Sequence, residues 1–307
     1  MANSLRAAAL TALLAAPAAA TPYGILLLAH GGAPEWNRTV AGIAGGLDKQ
    51  APTETAFGMA DPAAIQSAVD RLQRRGAQQI VAVPLFIHSR SEVMDQTRYV
   101  LGLREKPSEV LRDALAAMTR AMPPEHAAHM GMGHRMSFST ERAKVSVPVT
   151  LAPALDASEI VSGVLWRRAL SLSREPARET VILVGHGPVD PRADEAWLAT
   201  MRLHAERVRR VGGFAAAEAV TIHDDAPPDV KRAALERLRD SVRRASENGG
   251  RAIVLPYLIA RGGIEDHITG ALSGLSYAWD GRALCPDPAI ERWAAETAET
   301  TARASRP

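Results

Sequence analysis

Two histidines at strand exits, and two loops carrying histidine, arginine and glutamate, are the residues whose types and spacing offer chemistry. His30 follows the apolar run Gly24-Ile-Leu-Leu-Leu-Ala and precedes Gly31-Gly32. His186 closes the near copy Thr180-Val-Ile-Leu-Val-Gly and precedes Gly187-Pro188. A neutral imidazole suits cobalt, nickel, zinc and iron, and its pKa lets it take a proton near neutrality. The second loop reads Pro84-Leu-Phe-Ile-His88-Ser-Arg-Ser-Glu92, and its counterpart is Pro256-Tyr-Leu-Ile-Ala-Arg261-Gly262-Gly-Ile-Glu265-Asp-His267. An ion held by His30, with His88 or Glu92 opposite, occupies an open mixed nitrogen/oxygen site able to exchange a ligand. His30, His88 and Glu92 are therefore the expected catalytic and metal-ligating set, with His186, Glu265 and His267 as secondary candidates. Gly31 and Gly262 leave room for a flat ligand to approach the backbone, and Arg261 offers a cation to an anionic ligand while repelling a bare metal ion. The plainer alternatives stay open: a strand-end histidine as a polar cap, and Glu92 and Glu265 as first-turn carboxylates favouring a helix N-terminus.

The elements that must position these residues repeat. His30 and His186 stand 156 positions apart, and Pro84 and Pro256 stand 172 apart. Each short apolar run ends in polar residues and glycine, as buried parallel strands do. Amphipathic stretches from Pro62 to Arg75 and Pro228 to Arg244 precede the proline-containing strands and read as helices. Strand and helix alternating twice predict an α/β chain of two lobes, each a parallel sheet flanked by helices, related by internal duplication. Ligands of such sheets bind at the carboxyl ends of strands, where both histidines fall. The expected boundaries are 22–145 and 146–295, with the Ala/Glu-rich stretch from Ala289 to Ala304 reading as helical before the chain frays in a tail at 296–307. The stretch 123–136, with three histidines and three methionines, breaks all periodicity and reads as a loop.

Composition narrows the partners. Thirty-six Lys and Arg against 34 Asp and Glu leave a formal charge of +2, and aromatics are 4%. Neither a basic field nor stacking platforms for nucleic acid are present. Residues 1–20, with Arg6, an Ala/Leu run and small residues at Ala18 and Ala20, resemble an export signal, so a periplasmic mature chain beginning near Thr21 is expected. No other apolar run approaches the roughly 20 residues of a membrane span. Cys285 is the sole cysteine, which excludes an intrachain disulfide and a four-sulfur metal site. A Walker loop, a Gly-x-Gly-x-x-Gly turn and a Gly-x-Ser-x-Gly elbow are all missing after strands, so nucleotide binding and serine hydrolysis are not expected.

A strand ending in His-Gly, a helix, and a Val-Pro-Leu-Phe strand leading into a His/Glu loop together resemble the class II tetrapyrrole chelatases, sirohydrochlorin cobaltochelatase and ferrochelatase. The resemblance spans nearly the whole chain after residue 20 as a tandem pair. It implies ATP-independent insertion of divalent cobalt, iron or nickel into a sirohydrochlorin-type tetrapyrrole between facing lobes. His30 matches the family's first histidine. The family's second histidine usually lies eight residues after the strand proline, a place held here by Glu92, which as a carboxylate is both a base and an oxygen donor. Loss of two pyrrole protons while the metal sheds water is chemistry that a histidine beside the ring can serve. The expected division of labour puts metal on the first repeat and ring carboxylates on Arg261 of the second. The alternative is a non-catalytic periplasmic binder of metal or tetrapyrrole on the same scaffold, a reading to which the His/Met stretch also lends support.

Overall fold

The computed structural model describes residues 22–121, 138–188 and 190–305. The segment expected to be an export signal, and the His/Met stretch 123–136, lie outside them. The first half runs β1 (Tyr23–Ala29), α1 (Pro34–Leu47), β2 (Thr53–Phe57), α2 (Pro62–Arg74), β3 (Gln79–Pro84), α3 (Glu92–Val100), α4 (Glu109–Ala121), β4 (Val149–Leu151) and α5 (Glu159–Leu172). The second runs β5 (Glu179–Gly185), α6 (Pro191–Gly212), β6 (Ala216–Thr221), α7 (Pro228–Ala245), β7 (Arg251–Tyr257), α8 (Ile264–Ala271), β8 (Ala278–Trp279) and α9 (Pro288–Ala304).

Each half forms a four-stranded parallel sheet, in the orders β2-β1-β3-β4 and β6-β5-β7-β8. The two prolines occupy the same register, Pro84 beside Leu28 and Pro256 beside Val184, each two residues before its histidine. Outer strands stop short of them: the last pairs are Ala82 with Leu151 and Val254 with Trp279. The missing proline N–H thus falls where no outer neighbour needs it. Helix starts are equally local. Asp61 and Asp190 accept from the backbone N–H groups two and three residues on, each followed by a proline at the first helical position.

Alternation along the strands sorts the core into layers. Ile25, Leu27, Val181 and Leu183 face one shared cluster, which includes Trp36 and Val40 of α1, Val164 and Leu165 of α5, Met201 and Val208 of α6, and Trp293 and Ala294 of α9. Leu26 and Leu28 face outward onto α2, and Ile182 and Val184 onto α7 and α8.

The lobe boundary differs from the expected 145/146. β4 pairs with β3, so Val149–Leu151 closes the first sheet. Beyond it the final helices are exchanged. α5 lies on the second lobe, where the buried Arg168 forms a two-pronged pair with Asp280 at 2.9 Å on each arm and reaches the Pro256 carbonyl at 3.1 Å. α9 lies on the first lobe, its Ala294, Ala298 and Ala302 buried at i, i+4 spacing and Trp293 inserted into the shared cluster. The helix continues through 296–304 to Ala304, and it packs because a strip of alanines lets two elements approach closely.

Candidate metal-binding cleft

β1 and β5 deliver His30 and His186 at equivalent strand exits. His30 is half-buried and stacked on Trp36, ring centroids 5.1 Å apart, and the Trp36 indole N–H donates to the His30 carbonyl at 2.7 Å. Its Nδ1 lies 3.2 Å from the Gly31 carbonyl, which leaves Nε2 without a protein partner among the described residues. Burial lowers its pKa against the raising effect of the Gly31 bond, so the ring is neutral at neutral pH.

His88 does not join it. The ring is 7% exposed, the Arg90 N–H donates to Nδ1 at 3.0 Å, and Nε2 donates to the Thr200 hydroxyl at 3.0 Å. It also stacks on Trp197, whose indole N–H donates to the Arg90 carbonyl at 2.8 Å. Thr200 and Trp197 belong to α6, so His88 and its loop fasten the first lobe to the second. Both nitrogens of His88, expected as ligand and catalyst, are hydrogen-bonded in this arrangement.

Glu92 opens α3 behind the Ser91 cap, and Glu265 lies in the first turn of α8. These are the helix-terminal positions that the plainer alternative describes. Yet each keeps one oxygen, Oε1, buried and without a hydrogen-bond partner, while Glu265 Oε2 accepts from the Gly262 N–H at 3.0 Å. A buried acceptor left unpaired is costly, so both oxygens sit ready for a donor or a cation. A Cβ added at Gly31 or Gly262 would meet no atom within 4 Å, so space is open at both loops. Arg261 is exposed beside the second.

Sequence reasoning missed the carboxylates that meet a histidine. Among the described residues, the group of three or more His, Cys, Asp or Glu side chains whose ligand atoms all lie within 4.8 Å of one another is His186, Asp224 and Asp225. The set expected from the sequence, His30 with His88 and Glu92, does not close in this way. His186 Nε2 stands 3.0 Å from Asp225 Oδ2. Burial works to lower the His186 pKa, but the Asp225 bond and the charges of Asp225 and Asp224 outweigh it and raise it; the Asp225 carboxyl is correspondingly lowered. Asp224 Oδ1 in turn meets Lys231 Nζ at 2.6 Å and His267 Nδ1 at 2.7 Å. Since β6 borders β5 in the sheet, the loop that leaves it runs beside His186: the His223 N–H donates to the His186 carbonyl at 2.8 Å, and His223 Nδ1 lies 3.3 Å from the Pro188 carbonyl. His223 takes a φ of 48°, a strained value for a non-glycine residue. The signal in the sequence was His223-Asp-Asp directly after an apolar strand; the first lobe has Gly58-Met-Ala-Asp61 there, and Asp61 caps a helix instead.

Residues 24–170, from β1 through α5 and so one complete repeat, match the family model CbiX. Over those residues the chain is similar to the CbiX family. The two-lobed chain as a whole has the class II chelatase fold. It superposes on SirB of Bacillus subtilis with Fe3+ at a TM-score of 0.60 and 15% identity, covering 92% of this chain and 97% of that one. The sirohydrochlorin chelatase SirB of B. subtilis subspecies spizizenii in complex with cobalt gives 0.57 and 15% over 92% and 97%. CbiX, described as the terminal enzyme for siroheme biosynthesis in denitrifying bacteria, gives 0.50 and 19% over 90% and 98%. No curated protein sequence matches the chain.

Proposed function

We propose that this protein is a metal chelatase that inserts a divalent ion, cobalt, iron or nickel, into a sirohydrochlorin-type tetrapyrrole without ATP, and that its second lobe receives the metal. The observation that carries the reading is the meeting of His186, Asp224 and Asp225 at the carboxyl ends of β5 and β6 on a chelatase fold. One imidazole and two carboxylates are a borderline-to-hard donor set that suits these ions and leaves coordination positions for water or a pyrrole nitrogen. Asp225 holds a proton on His186, so a metal that takes its place releases that proton on binding.

The unpaired Oε1 of Glu265 and of Glu92, and the neutral His30 with its unengaged Nε2, are acceptors for the two protons the macrocycle must lose. Arg261 offers its charge to an acetate or propionate arm. The division of labour expected from sequence is thus reversed for the metal and kept for Arg261. Steady-state metal insertion into sirohydrochlorin by the purified protein, followed by absorbance, tests the activity. Many turnovers per chain are expected; saturation at one equivalent would instead support the non-catalytic binder.

A further inference from the structure

Beside the metal-binding set, α7 and the end of α8 enclose an open groove of about 540 Å³. Asp224, Lys231, Arg232, Glu236 and Arg239 line it together with the apolar Leu235. These cations differ in their commitments. Arg239 is tied to the Ala271 and Ser273 carbonyls, the latter at 3.2 Å, and shapes the wall. Lys231 is held by Asp224 at 2.6 Å. Arg232 is exposed and makes no hydrogen bond or ion pair among the described residues.

We propose that this groove is a carboxylate-binding subsite for the acidic side arms of the macrocycle, and that it is coupled to the metal through Lys231. The inference rests on the chelatase reading and extends it to a surface outside the strand-end loops. One carboxylate, Asp224, belongs both to the metal-binding set and to the groove. A ligand centred on the metal therefore brings its rim toward the groove, and the groups at the rim of a sirohydrochlorin-type ring are acetates and propionates. A guanidinium without a partner is the donor that such an arm recognises in two-pronged geometry. Lys231 links the two events. In the absence of metal its ammonium neutralises Asp224; a divalent ion on Asp224 takes over that role and repels the ammonium, which becomes available to an arm in the groove. Metal and macrocycle then favour one another's binding, and the coupling is reciprocal.

Two variants on α7 test this, with metal-free sirohydrochlorin and cobalt titrated separately by fluorescence and calorimetry. Arg232→Glu is expected to weaken sirohydrochlorin binding about tenfold, more at low salt than at high, and to leave cobalt affinity within twofold. Lys231→Ala is expected to shift the two ligands in opposite directions, tightening cobalt several-fold because no ammonium competes for Asp224, and weakening sirohydrochlorin. Unchanged sirohydrochlorin affinity in Arg232→Glu, or weakening of both ligands in Lys231→Ala, overturns the proposal. Failure of the chelatase reading shows itself separately, as absence of turnover by the wild-type protein in the insertion assay whatever the binding data give.

Discussion

His204 makes the stability of the joined lobes fall with acid, and the structure sets how much. The side chain is 0% exposed, at the seam between α5 and α6: Nδ1 meets the Ser162 hydroxyl at 2.7 Å, Nε2 donates to the Asp156 carbonyl at 2.8 Å, and the ring lies 5.6 Å from that of Tyr257. Burial, with a contribution from the Arg207 charge against the raising effect of the Asp156 bond, pushes its pKa down from 6.5 to about 4. Between those values the unfolded chain binds a proton that the folded chain refuses, so stability is complete above about pH 6.5 and is lost as pH falls toward 4. At about 1.4 kcal/mol per pH unit the full loss is about 3 kcal/mol, of which about 2 kcal/mol has gone by pH 5. His204→Gln keeps a donor and an acceptor but does not titrate. Urea unfolding of both proteins at pH 7 and pH 5 should show the wild type losing about 2 kcal/mol more than the variant over that interval. Equal losses would mean that His204 titrates alike in the folded and unfolded chain, and the inference from its burial would fail.

Other outcomes follow from the same geometry. His186→Ala and Asp225→Asn should each weaken cobalt binding at least tenfold by calorimetry, while His30→Ala leaves it within a few-fold. Because the His186 pKa is raised, cobalt binding by the wild type should release a proton near neutrality and weaken as pH falls, a release measurable by repeating the titration in buffers of different ionisation enthalpy. Ala298→Leu, in the close strip of α9, should cost about 1–3 kcal/mol by overpacking, read as a lower urea midpoint. Mass spectrometry of the native protein is expected to find an N-terminus near Thr21 in the exported fraction; an intact Met1 in the cytoplasm would refute export.

Local pattern carried β1, β3, β5 and β7, the proline-bearing pair and the duplication, because hydrophobic runs bounded by glycine report their own secondary structure; the less apolar β2, β6 and β8 were not legible in this way. It also carried His30, His186, Glu92 and Glu265 to the ends of those elements. What it did not carry depends on partners distant in the chain. Nothing near His88 announces Thr200 and Trp197, which occupy its nitrogens and its face from 112 and 109 residues away. Asp224 and Asp225 gain their meaning only from the order β6-β5, which brings one loop beside the other. The destination of α5 and α9 was hidden for a similar reason: an amphipathic helix declares that it must cover a sheet, and leaves open which of two similar sheets that is.

The exchange of α5 and α9 bears on why the two repeats occur in one chain. Each sheet is sealed in part by the closing helix of the other repeat, so either repeat alone would leave part of its inner face uncovered and its last helix without a seat. A single repeat could bury both by pairing with a second copy about a two-fold axis, at the expense of making its fold depend on its own concentration. Covalent fusion turns that association into an intramolecular one, with an effective concentration set by the connecting segment. It also frees the two halves from identity. One strand exit can carry aspartates beside its histidine while the other keeps a helix cap, an asymmetry that a symmetric pair of identical chains cannot encode.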